Sequence, residues 1–226
     1  MVIQRLSETD HDRVSAAVAA AEGNTAGEIV TVVAERSDGY SDVALAWAAA
    51  IAFTALLVLT LWPDFYLGLF DRVLGNWAHE WTAREIFAIA LIVAVLKFLG
   101  MWLIQLWPPL KFLLVPGPIK THRSRDRAID LFKVGAERRT HGRTGILIYV
   151  SLRERRAQIV ADQAIAGKVA PETWGEAMAV LLADVKHGRL ADGMIAAVGK
   201  VGVVLAEHFP RAEDDVNELP DRLIEL

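Results

Sequence analysis

Two long apolar runs constrain this chain more than anything else in it. Residues 43–62 are twenty positions without a charge, bounded by Asp42 and by Pro63-Asp64. Twenty helical residues cover about 30 Å, the thickness of a bilayer's hydrocarbon. Nine of the twenty are Val, Leu, Ile or Phe, which sums to roughly -3 to -5 kcal/mol of insertion free energy. Residues 86–107 carry thirteen such side chains and one charge, Lys97. Their roughly -4 to -8 kcal/mol outweighs the cost of about +2.5 to +3.5 kcal/mol for the lysine. Both runs therefore read as transmembrane helices, and Lys97 as an intramembrane polar residue that needs water, a partner or a route to the interface.

Between the runs, Phe65, Leu69, Val73, Trp77 and Trp81 recur every four residues, the pattern of a helix lying along an interface. Basic flanks set the orientation. The link holds only Arg72 and Arg84, whereas Lys111, Lys120, Arg123, Arg125 and Arg127 follow the second run, which places the carboxyl side in the cytoplasm. The first residues lack a basic stretch followed by an apolar core and do not resemble a secretory signal. Two crossings then leave both termini cytoplasmic, in a cell (inner) membrane.

The remaining sequence reads as one soluble domain cut in two by the hairpin. Ser7 and Asp10 form a capping box ahead of a helix with Val14, Ala17, Val18 and Ala21 on one stripe. Residues 28–34 are a short, β-branched, nearly continuous apolar strand of the kind covered on both faces. It cannot build a core with one helix. Its partners are predicted beyond the insertion: a helix over 125–139, strands over 145–152 and 158–161 joined by a turn at 153–156, a helix from Pro171 to Gly188, and one opened by Asp192 and reaching Phe209. Strands alternating with helices predict a small layered α/β domain with an inserted two-helix transmembrane hairpin. The boundaries are 1–42 for its first part, 43–116 for the hairpin with its link, 117–209 for its second part and 210–226 for an acidic tail.

Ala26-Gly-Glu-Ile-Val-Thr-Val-Val33, His141-Gly-Arg-Thr-Gly-Ile-Leu-Ile-Tyr-Val-Ser-Leu152 and Ile159-Val-Ala-Asp162 carry a resemblance. In order and content they resemble the TPM domain family, whose members include thylakoid-lumen proteins of photosystem repair, a receptor accessory protein and bacterial membrane proteins. The resemblance implies a compact α/β domain. Phosphatase activity and calcium binding are attributed to exported relatives, in which a signal peptide precedes the domain; here the anchor interrupts it, and no complete catalytic set maps onto matching positions.

The charges limit the chemistry. With no cysteine the chain has no disulfide and no thiolate nucleophile or ligand. Phosphate-loop, serine-hydrolase and zincin motifs are missing from the sequence. Twelve of the twenty-four basic residues fall between Lys111 and Arg156, against four acids. Lys120, Arg123, Arg125 and Arg127 are the candidates for anionic-lipid contact, and the segment lacks the interleaved aromatic residues of nucleic-acid binders. Asp162 ends a strand, where α/β folds present functional groups. With Asp214, Asp215, Glu218 and Asp221 it is a candidate for a hard cation such as calcium. The function expected is an accessory or scaffold module whose partners are the bilayer and a protein or a second copy of the chain; a divalent-metal-dependent phosphatase is the alternative.

Overall fold

A computed structural model describes residues 6–74, 80–135, 143–211 and 217–226. The chain divides into two units, one formed by Met1–Gly39 with Gly117–Leu226 and the other by Tyr40–Pro116.

The first unit is α/β. Helix α1 (Glu8–Glu22) starts at the Ser7–Asp10 capping box, and Gly23 ends it. Strand β1 (Glu28–Ala34) is buried at every position, as its continuous apolar run requires. In the other unit lie α2 (Ser41–Leu61), α3 (Pro63–Leu74), α4 (Ala83–Ile104) and α5 (Pro108–Leu114). The first unit resumes with α6 (Gly117–Gly135), β2 (Gly145–Ser151) and β3 (Arg156–Ala161). A short α7 (Gln163–Ala166), a 3-10 turn (Pro171–Trp174), α8 (Gly175–Lys186), α9 (Leu190–His208) and β4 (Ile224–Glu225) complete it.

The sheet order is β3-β2-β1-β4. β1 and β2 run parallel in register from Glu28 opposite Gly145 to Ala34 opposite Ser151, so residues on opposite sides of the insertion hydrogen-bond along seven positions. β3 returns antiparallel to β2. Alternation along the strands divides the core. Ile29, Val33, Ile146, Ile148 and Val150 face a layer containing α1, α8 and α9. Val30, Val32, Leu147 and Tyr149 face Ala128 and Phe132 of α6. The α1–α9 approach is close enough that a Cβ on Gly202 would lie 2.8 Å from the Ala21 Cβ, which fixes a glycine there.

Three readings change. α6 begins eight residues before the helix expected at 125, with Pro118 in its first turn, where a missing N–H costs nothing. Asp192 does not cap a helix: Arg189 is the N-cap of α9, and Asp192, in the first turn, accepts a 2.5 Å hydrogen bond from Arg13 Nη2 of α1. The segment read as an acidic tail supplies β4, which pairs with Val32 and Val33, and its Leu219 and Leu223 are buried.

The second unit is helical. α2 and α4 are 21 and 22 residues long with mean hydropathies of 2.3 and 2.5 in their most apolar windows. Gln105 Nε2 donates to the Ala44 carbonyl at 3.0 Å, and Trp47 Nε1 to the Leu114 carbonyl at 3.1 Å. Tyr40, at φ 51° ahead of α2, is held there by a buried ring packed edge-on against Phe112. Thr82 and Glu85 form a capping box that starts α4, a signal that fixes the boundary three residues before the apolar run. In α3, Phe65, Leu69 and Val73 are exposed; Trp77 lies outside the described residues.

Candidate functional site

Because β1 and β2 are parallel, their carboxyl ends meet at one edge of the α/β unit, and the chain leaves this unit five residues after β1 and rejoins it at Gly117. Just past the strands, pairing continues: the Leu152 amide donates to the Ala34 carbonyl and the Arg153 amide to the Glu35 carbonyl, both at 3.0 Å. A buried polar network fastens this end. Glu154 Oε1 accepts from the Ser37 amide at 2.8 Å, its Oε2 accepts from the Ser151 hydroxyl, and the Ser37 hydroxyl lies 3.1 Å from the Tyr149 phenol. Glu154, Ser151 and Tyr149 are all buried. Burial raises the Tyr149 phenol above its ordinary range, against the lowering effect of its hydroxyl neighbours.

Cations gather at the same end. Arg123 Nε lies 3.4 Å from Asp38 Oδ2, and Arg156 Nε donates to Thr121 Oγ1 at 3.0 Å. Lys120 is half-buried, and its ammonium is held below the usual lysine range by that burial and then by Arg156, with Arg155 adding and Glu154 opposing. A group of cations on one edge raises the local positive potential there. Of the residues expected to meet lipid, Lys120 and Arg123 belong to this group. Arg127 acts on Tyr149 from α6, and Arg125 is exposed. Sequence reasoning missed Arg155 and Arg156, read only as a turn, and the Ser37, Tyr149, Ser151 and Glu154 network. The parallel pairing that assembles them spans 117 positions and has no local signal.

Asp162 sits elsewhere. Because β3 is antiparallel to β2, its carboxyl end lies at the amino ends of β1 and β2, where the Asp162 amide donates to the Gly145 carbonyl at 2.9 Å. The side chain caps α7 through Oδ1, which accepts from the Gln163 amide at 2.7 Å, while Oδ2 is buried without a hydrogen-bond partner. A cleft of about 320 Å³ opens beside it, lined by Phe132, Lys133, Arg143 and Gln163 among others.

The carboxy-terminal segment attaches on the other side of β1 through backbone amides. Glu28 accepts from the Glu218 and Leu219 amides, both at 3.2 Å, and Asp221 accepts from Asn217 Nδ2 at 2.6 Å. Asp214 and Asp215 lie outside the described residues. Glu28 stands opposite Gly145 on one side and Asp162 bonds to Gly145 on the other. That separates Asp162 from the attachment of the tail by two strand spacings, roughly 10 Å. Among the described residues no three His, Asp or Glu side chains converge to hold a metal ion.

One acid that sequence reasoning passed over lies beside that attachment. Glu22, near the end of α1, is 7% exposed and accepts from the Ile29 amide at 2.6 Å. Burial pushes its carboxyl up to about 8, the Ile29 hydrogen bond opposes this, and the neighbouring Glu28 and Asp221 charges add to it. The folded protein thus holds a proton that the unfolded chain loses above its ordinary value of 4.5. Stability consequently falls as pH rises from about 4.5 to 8, by at most about 1.4 kcal/mol per unit, and levels off above. Glu22→Gln keeps an acceptor for Ile29 and supplies a permanent donor. Thermal melts should show the variant about equal to the parent at pH 5 and several degrees more stable at pH 8; parallel curves across that range would show that Glu22 is ionised throughout.

No protein-family model matches the chain, and no curated protein matches it. Its structure is similar to the NMR structure of the BA42 protein from the psychrophilic bacterium Bizionia argentinensis, with a TM-score of 0.57 and 18% identity over 100% of this chain and 99% of that one. The likeness is one of fold. It places the molecule in the mixed α/β class that its own sheet defines.

Proposed function

We propose that the protein is a membrane-anchored, TPM-like module that acts as an accessory or scaffold for partners at the cytoplasmic face of a cell (inner) membrane. The observation that carries this reading is the surface of the two long helices. Core helices of soluble proteins hide their apolar side chains, but the most apolar windows of α2 and α4 are only 17% and 0% buried within the fold. Phe53, Phe87 and Leu91 are all more than half exposed. Such surface is stable in lipid and costly in water. It is also inserted between two strands of one sheet, so the anchor and the α/β unit are made as one piece. The cationic end adds to the reading, because Asp38, Lys120 and Arg123 lie within a few residues, along the chain, of the points where it passes from one unit to the other.

Topology is the direct test, and a chain without cysteine takes single cysteines freely. In intact cells an impermeant thiol reagent should label Asp64→Cys, in the link, and leave Gly39→Cys and Leu226→Cys unlabelled until the membrane is opened. Labelling of Gly39→Cys or Leu226→Cys but not Asp64→Cys inverts the orientation, and recovery of the chain in the soluble fraction removes the anchor altogether.

A further inference from the structure

Lys97 is exposed on α4, and three residues on, a Cβ at Gly100 would meet nothing within 4 Å. Residues three apart share a helix face, so a charge and a gap lie side by side on the outside of the helix pair. Nothing on the same pair answers the charge. The Gln105–Ala44 hydrogen bond sets the level of α4 against α2, and eight residues back from Gln105, α2 offers Ala52 and Thr54. The Thr54 hydroxyl is committed to the Ala50 carbonyl at 2.7 Å. Among the described residues no carboxylate forms an ion pair with Lys97, and none lies inside either apolar helix between Val43 and Leu61 or between Ile86 and Ile104.

Escape to water is also poorly served. Lys97 is seven residues, about 10 Å, from the end of α4 at Ile104, and about 21 Å from its start. A helical side chain leans toward the amino-terminal end of its helix, which is the distant one here. A second copy of the chain would bring another Lys97 and no acid at this depth.

We propose that the α4 face bearing Lys97 and Gly100 is a docking surface within the membrane for the transmembrane helix of another protein, one that carries a carboxylate at the depth of Lys97. The carboxylate neutralises the ammonium where neither has water, and the missing side chain at Gly100 lets the two backbones approach. This inference rests on the membrane-anchored reading.

The test uses the full chain in phosphatidylcholine vesicles with a synthetic Leu/Ala transmembrane helix carrying one Asp at the matching depth. A donor fluorophore on Leu106→Cys reports an acceptor on the helix. Energy transfer should saturate with the Asp helix, and the association should weaken roughly ten-fold when that Asp is replaced by Leu or when Lys97→Leu is introduced, with Lys97→Arg retaining it. Failure of the chain to float with the vesicles overturns the membrane reading and this proposal with it. Flotation with equal transfer to the Asp and Leu helices, or association unchanged by Lys97→Leu, overturns this proposal alone. Self-association that excludes the Asp helix does the same and assigns the face to a second copy.

Discussion

Replacing residues 43–116 by a short Gly/Ser linker should give a soluble protein that unfolds in one cooperative transition, whereas residues 117–226 alone should not fold. Within the α/β unit the segments that flank the replaced residues meet, since Arg123 Nε lies 3.4 Å from Asp38 Oδ2. The shorter fragment loses α1 and β1, and with them six buried side chains, Val14, Val18, Ile29, Val30, Val32 and Val33. At about 1.5–3 kcal/mol each, that is roughly 9–18 kcal/mol, as much as the whole stability of an ordinary domain at about 5–15 kcal/mol. The loss is also structural. β1 stands between β2 and β4, so without it seven positions of β2 become an open edge and β4 has no partner. Denaturant melts followed by circular dichroism decide the matter. A fragment 117–226 with the same cooperative transition as the linked protein would show that the two halves do not depend on each other.

The parts of the α/β unit that could be read from sequence are those set by short-range patterns. Ser7 and Asp10 announce α1 by their spacing, and the apolar runs of β1 and β2 announce strands covered on both faces. What could not be read depends on partners far along the chain. The beginning of α6 was hidden because its inward positions are Ser124, Ala128 and Phe132; the first of these is polar, so the apolar stripe starts one turn late. The last segment looked like a solvated tail because its acids outnumber its leucines. It is held instead by backbone amides on the Glu28 carboxylate, 190 residues away, a tertiary bond without a compositional trace. Asp162 was legible as a strand end, but which end of the sheet it occupies depends on the antiparallel return of β3. Glu22 was invisible as an unusual group, since only its burial beside Glu28 and Asp221 makes it one.

The cationic end leads to a second large effect. The linked α/β protein, though it lacks the apolar helices, should bind vesicles containing phosphatidylserine and leave phosphatidylcholine vesicles alone. Basic side chains near an anionic surface contribute about 1 kcal/mol each, so Lys120→Gln, Arg123→Gln and Arg127→Gln together should weaken binding roughly a hundred-fold. A charge-matched control, Lys168→Gln, Lys200→Gln and Arg211→Gln, removes three exposed cations, two of them toward the amino end of β1, where Lys168 Nζ donates to the His208 carbonyl and Pro210 pairs with Thr25. It leaves the sheet end untouched. If position matters, the control binds nearly as well as the parent, because charges more than a Debye length of about 8–10 Å from the surface are screened. Raising the salt should abolish the difference between the variants as well as the binding, since the interaction is between exposed charges. Flotation of the three proteins with the two lipid compositions supplies the measurement. Equal weakening by both triple substitutions would mean that net charge alone draws the domain to the bilayer, and the grouping of cations at the end of β1 and β2 would then have no part in membrane contact.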